Sequence, residues 1–415
     1  MVTTQRSKGI NASTFLALIL FLVFPIASLP FILRSIYNRD KIGYVLFCLF
    51  MGLVGFLMAP HGDLYRYYIM FEDVKHLSYF EMFSVYNAQQ WYDFVLPTIS
   101  WLVGKMGLTV DWVRFLFNTV GFGIICSIHN IICCHNINNS KRENFFCFLC
   151  LVFSSGVISV LYRWGFAVTL FTWAVCLIEL RKKNIGWLFI VISGLSHSAM
   201  WFIAIIYLVY RIKKQVFSKT ALLIFFIITL FASIPFVTRF FETFDLFGLS
   251  DRFMIYVAED GYWNNEYLKD RSFRAVLYSY WGKASLYTVW ILTILEGNKK
   301  QQFKWPVHMF CFLLVFLAGF TNLAGRISGI FTRLFMIYFC YNAMNITFYK
   351  KKRTILMCVL IISFMLGIYA SQKRSFIWGN SGKIFYSSLY HIVSSPYENS
   401  WIIKNLDGMG LFKDQ

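Results

Sequence analysis

Four short stretches carry residue types that could do chemistry inside an otherwise apolar chain. "GDLYRYYIMF" offers Asp63, Tyr65 and Arg66 directly after an uncharged run. "LYRWGFAVT" holds Arg163, "GLSHSAMWF" holds His197 and Ser198, and "AGRISGIFTRLFMIYF" holds Arg326 and Arg333. The last two arginines are seven residues apart, two helical turns, so they project from one helix face. A guanidinium in hydrocarbon is costly, which places such a pair beside a polar cavity or an anion. Three arginines, Arg163, Arg326 and Arg333, suit a diphosphate, because guanidinium makes forked, charge-assisted hydrogen bonds to phosphoryl oxygens. A carboxylate or imidazole beside that site, Asp63 or His197, can take a proton from an attacking hydroxyl. The ordinary imidazole pKa of about 6.5 favours His197 for that role at neutral pH. Taken singly, each residue has a plainer reading. Asp63 and Arg66 are also a solvated i,i+3 pair, Arg163 can snorkel to headgroups, and the tyrosines and tryptophans around 65–112 can form an interfacial belt. Clustering on one side of a membrane is what separates a site from those readings.

The elements that position these residues follow from composition. Of 415 residues, 58% are hydrophobic and 14% charged, against roughly 25% charged in a soluble domain. Mean hydropathy is +0.59. Apolar runs of spanning length recur, and in a bilayer only helices or closed barrels satisfy their own backbone groups. "TFLALILFLVFPIASLPFIL" lacks the alternation of a barrel strand. The expected fold is therefore an all-α polytopic membrane protein forming a single integral membrane domain over 1–415. The ten cysteines lie mostly within apolar runs and read as small hydrophobes. The first apolar run is too long for a signal-peptide core and is expected to remain as an anchor.

Basic connectors set the orientation: "RSIYNRDK" (34–41), "SKRE" (140–143), "RKKN" (181–184), "RIKKQ" (211–215), "GNKKQQFK" (297–304) and "KKKR" (350–353). With Lys219 they hold 19 of the 39 Lys and Arg residues, accompanied by only four acids, Asp40, Glu143, Glu179 and Glu296. By the positive-inside rule these connectors face the cytoplasm. The formal charge of +19 is then a consequence of topology and calls for no nucleic acid. The main outer loops are 58–111 and 239–283. Alternation requires that 91–108 dip into or lie on the membrane without crossing. It also requires that "IGWLFIVISGLSHSAMWFIAIIYLVY" turn back near His197, since both of its flanks are basic. The result is about 12 transmembrane segments with both termini outside. No HExxH, D-x-D, GxGxxG or P-loop appears, so no metal or soluble nucleotide is expected as a cofactor. An activated donor on the outer face would instead be lipid-linked.

These residues resemble the EpsG-type branch of the Wzy-like O-antigen (polysaccharide) polymerase family. "GDLYRYYIMF" is similar to its D-x-Y-x-x-Y-x-x-F signature, and "YRWGFAVTLFTWAV" to its R-x-x-x-A stretch, here Arg163 to Ala167. "GLSHSAMWFIAIIYLVY" resembles its small-residue–His–Ser segment, and "GRISGIFTRLFMIYF" its late double-arginine helix. "SSPYENSW" resembles a terminal Pro-Tyr at Pro396–Tyr397. Trp164 stands where the family often has Gln, and Ser198 where it has a second His. Arg271 and Gly282 echo a proposed R-x10-G pattern, a spacing too loose to carry weight.

The resemblance implies a GT-C-like helical bundle and a metal-independent glycosyltransferase in the bacterial inner membrane, its site facing the exterior. It implies transfer of a glycan from undecaprenyl diphosphate to the terminal sugar of another lipid-linked repeat unit, as in lipopolysaccharide and other polysaccharide biosynthesis. Arg163, Arg326 and Arg333 would hold the leaving diphosphate, Asp63 or His197 would act as base, and Tyr65, Arg66, Ser198 and Tyr397 would contact substrate. Expected partners are the lipid-linked oligosaccharide, the bilayer, a chain-length regulator and a flippase. The rival readings are a flippase, an O-antigen ligase and a membrane acyltransferase. A flippase usually shows two similar halves, and no such repeat is visible.

Overall fold

The computed structural model describes residues 12–88, 93–135, 140–155, 162–214, 303–316, 321–343, 353–366 and 379–408, with isolated residues elsewhere. The loop 239–283, with Arg271 and Gly282, lies outside the described residues. Among those described, the regular structure is helical, with no strand.

The first apolar run folds differently from a single anchor. It forms α1 (Ala12–Val23) and α2 (Pro25–Tyr37), separated only by Phe24. Pro25 starts α2, where its missing N–H costs nothing and its fixed φ suits the first turn. The two helices fold back on each other. Thr14 Oγ1 lies 3.0 Å from Ser35 Oγ and donates to Asp40 Oδ2 at 2.6 Å. A continuous helix would hold residues 14 and 35 about 30 Å apart. The start of α1 therefore sits beside the basic 34–41 connector, which corrects the expectation that the chain enters from the opposite side. Periodicity alone could not separate one long span from two short arms, because both bury the same apolar residues. A cysteine-labelling experiment checks this. Ala12→Cys should be modified from the same side of the membrane as Lys182→Cys, and Arg66→Cys only from the other.

The next helices, α3 (Lys41–Phe56) and α7 (Val110–His135), form the antiparallel core of the bundle. Small residues allow their close approach. A Cβ on Gly55 would lie 2.3 Å from Asn118, and one on Gly52 would lie 2.2 Å from Thr119. Further along, Cys48 faces Cys126, and Tyr44 hydroxyl lies 3.0 Å from His129 Nδ1. At 26 residues, α7 spans about 39 Å and is the one described helix long and apolar enough to cross a bilayer alone. Between α3 and α7 lie the short helices α4 (Asp63–Val74), α5 (Tyr79–Ala88) and α6 (Val95–Lys105). With 11 residues, about 16 Å, α6 is too short to cross, and Gly107 at φ +71° turns the chain back into α7.

After α8 (Lys141–Phe153) comes α9 (Tyr162–Glu179), followed by α10 (Ile185–Ser196) and α11 (Ala199–Lys213). The last two form a hairpin that turns at His197, whose backbone is extended (φ −157°, ψ 118°). Its open end is fastened at the basic end of the bundle. Tyr207 hydroxyl and Arg211 Nε both bond Glu179 Oε1, at 2.9 and 3.0 Å, and Arg211 lies over the Trp187 ring. Basic connectors meet there elsewhere too, since Lys141 Nζ donates to Asn38 Oδ1 at 3.1 Å. Further on, α12 (Lys304–Phe316) and α13 (Thr321–Tyr338) return along α9, with α14 (Arg353–Leu366) beyond. The end of the chain lies over the other end of the bundle. It comprises a 3-10 turn (Asn380–Phe385), α15 (Leu389–Val393) and α16 (Asn399–Asn405). Large apolar side chains face outward from several helices, among them Phe15, Val45, Val120 and Ile205. That inverted arrangement suits a lipid surround.

Candidate functional site

The site lies at the end of the bundle opposite the basic connectors, around the first turns of α9. Arg163 opens this helix. Its Nη1 lies 3.0 Å from Asp93 Oδ2, and its guanidinium sits 5.5 Å from the Tyr67 ring centre. The other oxygen of Asp93 accepts the backbone N–H of Ser198 at 2.7 Å, and Phe94 N–H donates to Leu195 O at 2.8 Å. The segment just before α6 therefore binds the start of α9 and the tip of the α10–α11 hairpin together. Asp93 is 5% exposed and His197 6% exposed, so both are withdrawn from bulk solvent.

Local sequence explains why the hairpin tip is where it is. Ser193 hydroxyl donates to Ala167 O at 2.7 Å, and Ala167 is small enough to admit it. Gly194 leaves room for the Trp201 indole, which a Cβ would meet at 2.5 Å. Trp164 packs edge-on to His197, with ring centres 4.9 Å apart. Trp164 thus buttresses the imidazole. Ala199 N–H donates to His197 Nδ1 at 3.3 Å. A nitrogen that accepts carries no proton, so the neutral ring holds its hydrogen on Nε2 and is a donor there.

Arg333 reaches the same helix from α13. Its Nη1 donates to Gly165 O at 3.1 Å and to Thr169 Oγ1 at 2.5 Å, and Thr169 hydroxyl itself donates to Gly165 O at 2.6 Å. Arg333 is 3% exposed, its Nε lacks a hydrogen-bond acceptor among the described residues, and no described carboxylate pairs with it. Among the described residues it is a buried cation held by neutral groups. Arg326 lies two turns earlier in the same helix.

The structure gathers Arg163, His197, Ser198 and Arg333 about the start of α9. Asp63, Tyr65 and Arg66 stand nearby on α4. Asp63 is one turn before Tyr67, hence on the face that Tyr67 turns to Arg163. Gly62, at φ +59°, begins α4 and places Asp63 in the first turn, where a carboxylate suits the helix dipole. Asp63 and Arg66 are about half and two-thirds exposed, and their closest charged atoms are 4.0 Å apart, a loose pair. Tyr65 and Tyr68 stack at 6.4 Å, and Gly410 packs on Tyr65 so closely that a Cβ would lie 2.4 Å away.

Tyr397 stands elsewhere at this end. Its hydroxyl donates to Leu57 O at 3.1 Å and accepts Asn380 N–H at 2.5 Å, while its own N–H donates to Asp111 Oδ2 at 3.1 Å. Asp111 pairs with Arg114, whose guanidinium lies under the Tyr397 ring. Tyr397 therefore fastens the end of the chain to α3 and α7. Sequence reasoning missed Asp93, Tyr67 and the Asp111–Arg114 pair. A lone acid in the aromatic run "WYDFVLP" and the D-x-x-R spacing opening α7 were the available signals.

Fold and site define an all-helical membrane protein that gathers cations and ionisable groups at one end of its bundle. Residues 40–388 match the model of the EpsG family, and the chain belongs to that family. It is accordingly a membrane protein of polysaccharide biosynthesis, of the EpsG polysaccharide-polymerase type. The match spans every residue of the site described above, and Tyr397 falls beyond it. No curated protein and no solved structure matches the chain.

Proposed function

We propose that the protein polymerises lipid-linked oligosaccharide repeat units on the outer face of the bacterial inner membrane. In this reading the basic end faces the cytoplasm, and about twelve membrane segments surround the site, the N-terminal hairpin entering from the basic end. The donor is a growing glycan on undecaprenyl diphosphate and the acceptor is a terminal sugar hydroxyl on a second carrier. The acceptor oxygen attacks the anomeric carbon, the bond from that carbon to the phosphate oxygen breaks, and undecaprenyl diphosphate leaves with the negative charge.

The observation that carries this reading is Arg333. Burying a guanidinium against neutral acceptors is expensive, and an incoming diphosphate supplies the missing anion and the acceptor for Nε. Arg163 at the start of α9 and Arg326, two turns before Arg333 in α13, supply further cations. Because His197 accepts at Nδ1, we assign its Nε2–H to a donor role toward a phosphoryl oxygen and give the base role to Asp63, at the mouth on α4. Tyr65, Arg66 and Ser198 line the approach of the sugars. The reaction needs no divalent ion, its charge being met by guanidinium. Chain-length regulator and flippase are the protein partners this reading calls for.

The test uses purified protein in liposomes with lipid-linked repeat units, without nucleotide sugar and with chelator present. The expected result is a ladder of longer glycans. Movement of the lipid-linked unit across the vesicle with no ladder supports the flippase instead.

A further inference from the structure

We propose that Asp93 is a positioning residue for this site, which makes the inference rest on the polymerase reading. Its carboxylate joins the segment before α6 to two other parts of the fold at the site, the start of α9 and the hairpin tip. Oδ2 pairs with Arg163 at the start of α9, Oδ1 accepts the N–H of Ser198 at the hairpin tip, and the chain after it bonds Leu195 through Phe94 N–H.

Each contact has a consequence for the reacting groups. The ion pair, with Asp93 4% and Arg163 17% exposed at the side chain, is far less screened than a surface pair. It fixes the Arg163 guanidinium over Tyr67 and restrains the long side chain from searching rotamers. The Ser198 bond acts on His197. The hairpin leaves its helical path at His197 and resumes it at Ala199, so the imidazole projects from a two-residue break. Backbone bonds of the hairpin meet His197 N–H (Ser193 O, 3.1 Å) and His197 O (Met200 N–H, 2.9 Å), and they leave the Ser198 N–H to be met from outside. Asp93 supplies the missing acceptor from outside the hairpin. Loss of that bond lets the turn rotate, and His197 Nε2 then loses its aim at the substrate while the helices on either side stay packed. A misplacement of about 1 Å at a reacting group costs on the order of 100-fold in rate.

Backbone geometry at the turn permits a variant that removes the Ser198 N–H together with its hydroxyl, and Ser198→Ala removes the hydroxyl alone. Ser198 has φ −54° and ψ −37°, within the range proline adopts, and His197 before it is extended, as a residue preceding proline prefers. Ser198→Pro therefore deletes the N–H that Asp93 accepts and keeps the backbone path, its ring Cδ taking the place of the hydrogen so that Asp93 Oδ1, 2.7 Å from the nitrogen, gives way. Asp93→Asn keeps an acceptor for Ser198 but loses the charge that pairs with Arg163, and Asp93→Ala loses both.

The experiment measures kcat and KM for polymerisation in reconstituted liposomes, per folded molecule, with folding checked by melting in detergent. Expected are a fall in kcat of about 10-fold for Ser198→Pro and for Asp93→Asn and about 100-fold for Asp93→Ala, with KM for the lipid-linked unit changed less than about threefold. Ser198→Pro is the deciding variant because it keeps both charges of the Asp93–Arg163 pair, and Ser198→Ala, which loses the hydroxyl alone, is the control against which its kcat is read. A Ser198→Pro protein with wild-type kcat overturns the proposal, even if Asp93→Ala fails to fold. Losses that follow the folded fraction alone, with kcat per folded molecule unchanged, overturn it as well. Wild-type protein that forms no ladder removes the polymerase reading and this inference together, whereas a wild-type ladder with unchanged Ser198→Pro removes this inference only.

Discussion

Arg333→Ala abolishes the polymer ladder, lowering the initial rate by about 1000-fold or more, while the protein remains folded. The two halves of that expectation come from the same geometry. Removing one partner of a buried ion pair usually strands the other charge at a cost of about 3–5 kcal/mol. Arg333 has no described carboxylate to strand, and Thr169 hydroxyl still donates to Gly165 O after the guanidinium is gone. The folded state loses two charge-assisted bonds, each worth about 1.5–3 kcal/mol, and also sheds a desolvated charge that offsets them. Melting temperature in detergent should move by only a few degrees. On the proposed reading catalysis has no such offset, because the charge on the departing diphosphate would develop beside Arg333. Arg333→Lys keeps the charge but not the fork, and should retain between about one tenth and one hundredth of the rate. A vigorous ladder from Arg333→Ala sinks the assignment of this residue to the leaving group.

Asp63→Asn should lower the rate by about 1000-fold, within the usual range for loss of a general base, with little change in stability. The carboxylate is half exposed and its nearest cation is 4.0 Å away, so the fold gains almost nothing from it. His197 should respond differently. As a donor at Nε2, it can be replaced in part by a carboxamide, so His197→Gln should keep about a tenth of the rate and His197→Ala about a hundredth. The pattern reverses if His197 is the base. His197→Gln is then as inactive as His197→Ala, and Asp63→Asn remains active. Rates of the three variants decide between the two.

Much of this arrangement is legible in the residues themselves. Flanking charge requires a turn within 185–213, and the chain reverses at His197 with Glu179 and Arg211 joined at the base. The stretch 91–108 cannot cross, and α6 is too short to do so. Both follow from counting charges at the ends of apolar runs, a signal that survives without knowledge of packing. The fold of the first run was not legible in this way. Residues 12–37 are apolar enough for one span, and the reversal at Phe24–Pro25 shows itself only where Thr14 meets Ser35 and Asp40. Pro25 was a cue that composition alone could not convert into an angle.

The residues of the site divide along the same line. Arg163, His197, Ser198 and Arg333 announce themselves because polar groups in apolar surroundings are rare and costly. Asp93 does not, since an acid between aromatic residues in a loop has no evident partner until Arg163 and Ser198 are brought to it from 70 and 105 positions away. Tyr397 illustrates the converse. Its motif drew attention, and its hydroxyl and N–H are engaged with Leu57, Asn380 and Asp111.

The sequence by itself determined that this chain lives in a membrane as helices, which of its connectors share a side, and which rare charges lie among apolar residues. Those properties depend on transfer from water to hydrocarbon, a cost each residue carries wherever its neighbours are. Only the tertiary structure decided that Asp93 pairs with Arg163 while no described carboxylate pairs with Arg333, and that the Ala199 amide donates to His197 Nδ1. Such facts depend on distances of about 3 Å between groups remote in the chain, and hydropathy holds no record of them.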